Sequence, residues 1–348
     1  MRFAHIGVIH PHSSGWRSCL LHMPEVDIVA YYDPNSDAAR ERLPESERAK
    51  PLYDDVAALL RQEQPEAVMI TLPNDVTPAV IVQAAQAGCH VFAEKTCART
   101  APEFQPAADA IRRAGVQFGT GYLRRFSPVG VAIKEMVDQG LLGRLISIEA
   151  RWITTSVGKR DPTSFLFSRQ RSGGGMLHWL GCHWLDFIRW ATSSEVTDVS
   201  AVLGTLSGEA IDVEDTAALA LRYDNGMIGS LHCAYATDES TDQLYFGLRG
   251  TLGWVRWERS GLELEASSVQ PSWETAPTRV LQFTPPARAG YGAGTGCIAI
   301  KRMIAAARGN GPQAIATDDA RRVLEVLDAA HESDASGRRI SIARSDGT

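Results

Sequence analysis

The sequence predicts an α/β protein in two parts. The first is an N-terminal domain over residues 1–122 built on a doubly wound parallel sheet. The second is a C-terminal α+β domain over residues 123–348 with a mostly antiparallel sheet. Three observations predict it. Short apolar runs alternate with helical stretches through the first third of the chain, as βαβ units require. After residue 123 that rhythm gives way to strands that follow strands. The chain of 348 residues is long enough for two separate cores.

In the first part, Phe3–Ile9 reads as a strand, and Ser13 and Ser14 are placed to cap a helix running to His22. Val26–Tyr32 is a second strand, closed by Asp33-Pro34. A helix over Asp54–Gln62 leads to a strand at Ala67–Leu72. Another helix, Pro78–Ala87, stops at Gly88 before a strand at His90–Ala93. Pro102–Ala114 has proline in its first turn and Gly115 at its end, the usual asymmetry of helix termini. Val116–Tyr122 completes the set.

In the second part, a helix over Pro128–Gln139 precedes a long strand, Arg144–Thr154. The latter half of residues 172–190 is helical. Thr216–Tyr223 and Met227–Tyr235 flank Asp224-Asn225-Gly226, a strong tight-turn signal. Leu244–Arg249 and Trp254–Arg259 flank a second hairpin at Gly250–Gly253. Pro271–Pro286 reads as a loop-rich stretch, and helices near 293–308 and 317–334 close the chain.

Four motifs lie where a parallel sheet binds its ligands, beyond strand ends, or on the glycine-rich segment of the second part. Gly7-Val8-Ile9-His10-Pro11-His12-Ser13 sits between a strand and a helix, the setting of a dinucleotide fingerprint. Ile9 and His12 stand where that fingerprint carries its second and third glycines, so an ordinary strand–helix turn competes with it. Asp33, at the end of the second strand, can accept the ribose hydroxyls and repel a 2′-phosphate, favouring NAD over NADP. Viewed alone it is also an Asp-Pro turn. Glu94-Lys95 follows the fourth strand. A partly desolvated lysine beside a cationic nicotinamide is suited to exchange the proton of an alcohol while hydride leaves carbon; a surface Glu-Lys pair is the alternative. Gly173-Gly174-Gly175 opens the fourth segment, which carries His178, Trp179, His183 and Asp186. His183 could serve as base or hydrogen-bond donor, although a lone helical histidine is more often structural.

Taken in order, these pieces resemble the glucose–fructose oxidoreductase/inositol dehydrogenase/rhizopine-catabolism (Gfo/Idh/MocA) family. The resemblance rests on the turn at Gly7, Leu72-Pro73-Asn74, Ala87–Lys95, Gly121–Pro128, Gly173–Asp186, Val213–Thr216 and Gly250–Trp254. It implies a Rossmann domain that binds NAD or NADP and a second domain that binds a sugar, polyol or cyclitol. It implies a homodimer or homotetramer as well. Lys95 matches the lysine of the family's Glu-Lys-Pro motif, with Thr96 in place of the proline. His183 matches the histidine of its Asp-x-x-x-His motif, but Trp179 replaces the aspartate.

The expected cofactor site is Gly7, Ile9, His10, His12, Ser13, Asp33, Leu72, Pro73, Asn74, Thr77, Glu94 and Lys95. The expected substrate wall is Tyr122, Arg124, Trp152, His178, Trp179 and His183, with Lys95 and His183 catalytic. The expected reaction interconverts a secondary alcohol and a ketone with NAD. Two alternatives stay open. One is an enzyme that uses bound NAD catalytically (a lyase, isomerase or glycosidase), and the other is a non-catalytic ligand-binding protein.

A net charge of −6 argues against a nucleic-acid partner, leaving a local basic patch open, and gives no reason to expect attraction to anionic membranes. The six cysteines form no C-x-x-C pair, which reads as reduced thiols in a cytoplasmic protein. The N-terminus lacks a signal-peptide pattern, and no run is long enough to span a membrane. His10-x-His12 has the look of a paired metal ligand, but the later antiparallel pattern contradicts a metal-hydrolase barrel. No metal is expected.

Overall fold

A computed structural model describes residues 1–238, 242–258, 261–286 and 290–343. The chain divides into two compact units. One holds residues 1–123 and 286–322, the other residues 124–285 and 323–348. The return of residues 286–322 to the first unit differs from the expectation of one continuous second domain.

The first unit begins β1 (Arg2–Ile6), α1 (Ser13–Leu21), β2 (Asp27–Tyr32), α2 (Ser36–Arg42), β3 (Leu52–Tyr53), α3 (Val56–Glu63), β4 (Ala67–Ile70), α4 (Thr77–Gln86), β5 (His90–Ala93), α5 (Ala101–Ala114) and β6 (Phe118–Thr120). All pairings in its sheet are parallel, in the order β3-β2-β1-β4-β5-β6. β4 is buried along its whole length, and β1 and β5 nearly so, as expected of strands covered on both faces. The order reverses between β1 and β4, so a crevice opens beyond their carboxyl ends. Gly7 and Thr71 follow directly there.

The helix ends follow local chemistry. Asp55 caps α3 by accepting from the amides of Ala57 and Ala58. Thr100 caps α5, and Gly115 ends it at φ +66°. The expected serine cap on α1 does not form: His12 holds the cap position without a side-chain bond, and Ser13 is already helical. α2 and β3 were not foreseen, because a seven-residue helix and a two-residue edge strand leave little periodic signal.

The second unit carries α6 (Pro128–Asp138), β7 (Leu145–Thr155), α7 (Arg169–Ser172), α8 (Cys182–Thr192), β8 (Val196–Gly204), β9 (Thr216–Tyr223), β10 (Ile228–Thr237), β11 (Gln243–Gly250), β12 (Gly253–Glu258), β13 (Glu263–Ser268) and β14 (Thr278–Gln282). Its sheet runs β14-β13-β12-β11-β7-β10-β9-β8-β15 among the described residues, where β15 is Ile340–Ser341. Every pairing is antiparallel except that of β7 with β10. Both expected hairpins form, β9–β10 and β11–β12. At the first, Gly226 takes φ +86° and the Asn225 side chain accepts from the Met227 amide. Arg259, expected to end β12, lies outside the described residues. Within the loop-rich stretch Pro271–Pro286, Thr278–Gln282 forms β14 and pairs with β13 despite the flanking prolines.

Two helices follow, α9 (Thr295–Ala307) and α10 (Thr317–Ser336). α9 belongs to the first unit, where it buries Cys297, Ile300, Met303 and Ile304 and packs against α1, β5 and β6. No helix of the described residues is long and apolar enough to cross a membrane.

Candidate active site

In the first unit, the chain leaves β1 through Gly7 at φ +99°, and a Cβ there would lie 1.9 Å from the Thr71 carbonyl oxygen. Only glycine allows the turn and the close approach of the two strand ends. Its amide donates to Tyr32 O (2.8 Å), and its carbonyl accepts from the Thr71 hydroxyl (2.5 Å). This turn is the tight, glycine-dependent cradle that a dinucleotide fingerprint needs at its first position.

Asp33 ends β2 and is buried. Its carboxylate accepts from the Ile9 amide (2.9 Å) and the Asn35 amide (3.0 Å), one on each oxygen. Each oxygen keeps lone-pair capacity beyond one such bond, so the residues present fit the ribose end of NAD. The rest of the loop is used internally. The His12 amide donates to His10 Nδ1 (3.0 Å), and the Ser13 amide donates to His10 O (2.9 Å). The Ser13 hydroxyl faces the buried His5 ring (3.3 Å), which also meets the Thr71 hydroxyl (3.0 Å). Ser13 thus braces the strand–helix turn with its side chain, and His5 is a partner that the sequence reading missed.

The turn after β4 is braced in the same way. The Thr77 hydroxyl donates to Leu72 O (3.1 Å) and Pro73 O (2.9 Å). Asn74 donates from Nδ2 to the Thr96 hydroxyl (3.1 Å), tying this turn to the one that carries Lys95. The peptide bond between Lys95 and Thr96 is cis.

Glu94 and Lys95 leave β5 buried, 3% and 4% exposed. Three side chains converge on the Glu94 carboxylate. Trp16 on α1 donates its indole N–H to Oε2; His12 Nδ1 stands 3.3 Å from Oε1; Lys95 Nζ stands 4.0 Å from it. Tyr291 closes the group, with its hydroxyl 2.7 Å from His12 Nδ1 and its ring 4.6 Å from that of Trp16. Burial alone would raise the Glu94 pKa, but His12, Lys95 and His10 outweigh it and hold the group at about 2. Burial pushes His10 down to about 3 against the pull of Glu94, so His10 is neutral. Gly121 leaves room for this arrangement: a Cβ there would lie 3.3 Å from the Lys95 stem and 3.4 Å from the Trp16 ring. Lys95 is therefore a buried amine whose Nζ faces an ionised carboxylate held by Trp16 and His12. Trp16 and Tyr291 were not foreseen. Trp16 lies one helical turn beyond His12, a detectable spacing, whereas Tyr291 arrives from the far end of the sequence. Tyr122, expected in the substrate wall, is buried in this unit.

In the second unit, Arg124, Trp152 and His183 come together. The Arg124 guanidinium lies over Trp184 (3.7 Å), Trp152 (4.6 Å) and Trp257 (5.3 Å), and the Trp152 ring is 5.7 Å from His183. Such stacking suits a guanidinium. Burial draws the Arg124 pKa down to about 9. The next residue, Arg125, forms a buried pair with Asp186 on α8, with Nε 2.8 Å from Oδ2. His178 and Trp179 do not join Arg124. Trp179 is 6% exposed with Phe165 at 6.1 Å, and His178 faces His331. Residues Leu177–Gly181 wind as a π-helical turn ahead of α8. Ideal α-helical spacing therefore does not hold across His178 and Trp179.

A parallel sheet in the order 3-2-1-4-5-6, a glycine turn at its switch point and an acidic residue closing β2 define a Rossmann-type dinucleotide-binding protein. Comparison with known proteins specifies which. Residues 1–122 match the oxidoreductase family with an NAD-binding Rossmann fold, and residues 131–256 match the Gfo/Idh/MocA C-terminal domain. The chain belongs to this family, whose cofactor is NAD.

A levoglucosan dehydrogenase of Pseudarthrobacter phenanthrenivorans is 26% identical over 209 residues, 53% of each chain. The match thus spans about half the length of that relative. A myo-inositol 2-dehydrogenase of Thermotoga maritima is 26% identical over 71% of each chain. A solved structure of levoglucosan dehydrogenase with NADH and levoglucosan superposes with TM-score 0.87 at 21% identity, over 99% of both chains, and shows the shared fold.

Proposed function

We propose that the protein interconverts a secondary alcohol and a ketone on a sugar, polyol or cyclitol, with NAD preferred over NADP. The observation that carries this reading is the buried Glu94–Lys95 pair at the carboxyl end of β5, in a domain of the NAD-binding family. The names of the relatives, dehydrogenases of an anhydrosugar and of an inositol, support the substrate class.

Bound NAD would supply the acceptor for the hydride that leaves the carbinol carbon. Gly7 gives the turn its close approach, and Asp33 receives the ribose hydroxyls and disfavours a 2′-phosphate. Lys95 Nζ takes the hydroxyl proton as the carbon–oxygen double bond forms, and returns it in the reverse direction. Glu94 does not transfer that proton: anchored by Trp16 and His12, it holds Lys95 in position. In the second unit, His183 is assigned a role toward the substrate on the strength of the family motif, with the Trp152 ring 5.7 Å from it and Arg124 over Trp152.

The test is an NADH titration, read as energy transfer from tryptophan and repeated with NADPH, followed by a screen of sugars and cyclitols for NADH formation. Saturable binding with NADH preferred, and ketone formed in step with NADH, supports the reading. Conversion of a substrate without net NADH replaces it with an enzyme that oxidises and re-reduces its substrate. Tight NADH binding with no turnover of any alcohol replaces it with a ligand-binding protein.

A further inference from the structure

We propose that the second unit holds a zinc-type divalent cation on His178, Glu214 and His331. One ligand atom from each lies within 4.8 Å of the other two. The three come from separate parts of the chain. His178 lies in the π-helical turn, Glu214 just before β9, and His331 near the end of α10.

The donor set has the composition of a transition-metal site rather than a calcium site: two imidazoles and one carboxylate, leaving a fourth position open. His178 and Glu214 are 2% and 3% exposed. A carboxylate so deeply buried calls for a cation or for full hydrogen bonding. Glu214 Oε1 accepts from the Leu177 amide (3.1 Å), which orients the group. Glu214 Oε2 is buried without a hydrogen-bond partner, as is His331 Nε2, and the two atoms stand 4.0 Å apart. That convergence is what a cation would satisfy.

The glycines of the segment are shaped to the site. A Cβ on Gly174 would lie 2.3 Å from His178 Nδ1 and 2.8 Å from His331 Nε2. One on Gly175 would lie 2.0 Å from the Glu214 carbonyl, whose oxygen accepts from the Met176 amide. Gly174 opens the space between the imidazoles, and Gly175 brings the chain against Glu214.

Bonds of roughly 2.0–2.2 Å would set ligand atoms about 3.3 Å apart in a tetrahedron, so atoms now within 4.8 Å of one another must draw in by up to about 1.5 Å. His331, whose side chain is 20% exposed, has room to move and gives the ion a way in. The bound ion would clip α10 to the segment that carries Trp179 and His183. The expectation of a metal-free chain missed the site because its three ligands share no sequence spacing. His10-x-His12, which has such a spacing, does not form one: its rings meet Glu94, Tyr291 and each other.

The experiment uses the full chain, stripped with a chelator and titrated with zinc against a chromophoric competitor, with cobalt(II) as spectroscopic probe. The expected result is one zinc per chain and visible cobalt bands without the near-ultraviolet charge transfer of a thiolate ligand. His331→Ala should retain the wild-type circular dichroism and weaken zinc by at least about a hundredfold, beyond the loss typical of outer-shell changes. Zinc X-ray absorption on the wild type gives an independent reading should that variant fail to fold, with a nitrogen and oxygen shell and imidazole scattering expected. Absence of saturable zinc binding, a sulfur ligand in either spectrum, or equal affinity in a folded His331→Ala would overturn the proposal. None of these readouts depends on turnover, so the site stands or falls apart from the redox reading.

Discussion

The Ile9 amide and the Asp33 carboxylate are joined by a 2.9 Å hydrogen bond, which ties the loop after β1 to the end of β2. Ile9 occupies a position where the dinucleotide fingerprint carries glycine, so its backbone does the bracing while its side chain departs from the pattern. Asp33→Ser removes the carboxylate from this bond and from the ribose. Loss of a charged hydrogen bond costs about 1.5–3 kcal/mol, or roughly tenfold or more in affinity. NADH binding should weaken by that factor while NADPH binding holds or improves. An unchanged ratio of the two affinities would remove Asp33 from cofactor selection.

Lys95→Met keeps the apolar stem against Gly121 and removes the amine. Turnover should fall by at least about a hundredfold, the lower range for a positioned proton-transfer group. The NADH titration should change little. Normal turnover in this variant would move proton transfer to another group.

Acid should destabilise the protein well above the carboxylate range. His5 and His10 each have an ordinary value of 6.5 and are pushed by burial to about 3. Between those values the unfolded chain binds more protons than the folded one. Their contribution is complete above pH 6.5 and declines as pH falls towards 3, by about 1.4 kcal/mol per pH unit for each histidine at most. Glu94, held at about 2 against an ordinary 4.5, adds a further loss below pH 4.5. Urea denaturation from pH 8 to pH 4 should show this slope, and His5→Gln should remove part of it. A flat profile over that range would mean that neither ring is held neutral.

Asp186→Asn should strip the buried Arg125 guanidinium of its counter-charge. Removing one partner of a buried pair costs about 3–5 kcal/mol. Equilibrium denaturation measures this directly. A loss below about 1 kcal/mol, the value of an exposed pair, would show that water reaches Arg125 in the folded state.

Much of the fold was legible because its signals are local. Alternating apolar runs, Gly115 at a helix end and Asn225-Gly226 at a hairpin each act within a few residues, and the resulting elements fall where their chemistry places them. β3 and β14 were not legible: short or proline-flanked edge strands are decided by the neighbour that they pair with. The candidate site divides in the same way. Gly7, Asp33 and Lys95 stand out because they sit at strand ends, where a parallel sheet must present its ligands. Their partners do not. Ser13 turned out to brace His5, and Thr77 to brace its own turn, because buried hydroxyls seek the nearest acceptor.

The sequence by itself determined the alternation of strand and helix, the two-part organisation and the family motifs, since periodicity and turn chemistry act within a few residues. Only the tertiary structure decided that Tyr291 closes the Glu94 group, that residues 286–322 return to the first unit, and that His331 meets His178 and Glu214. Those relations join residues far apart in the chain, and packing of apolar faces, rather than any local pattern, selects which distant side chains become neighbours.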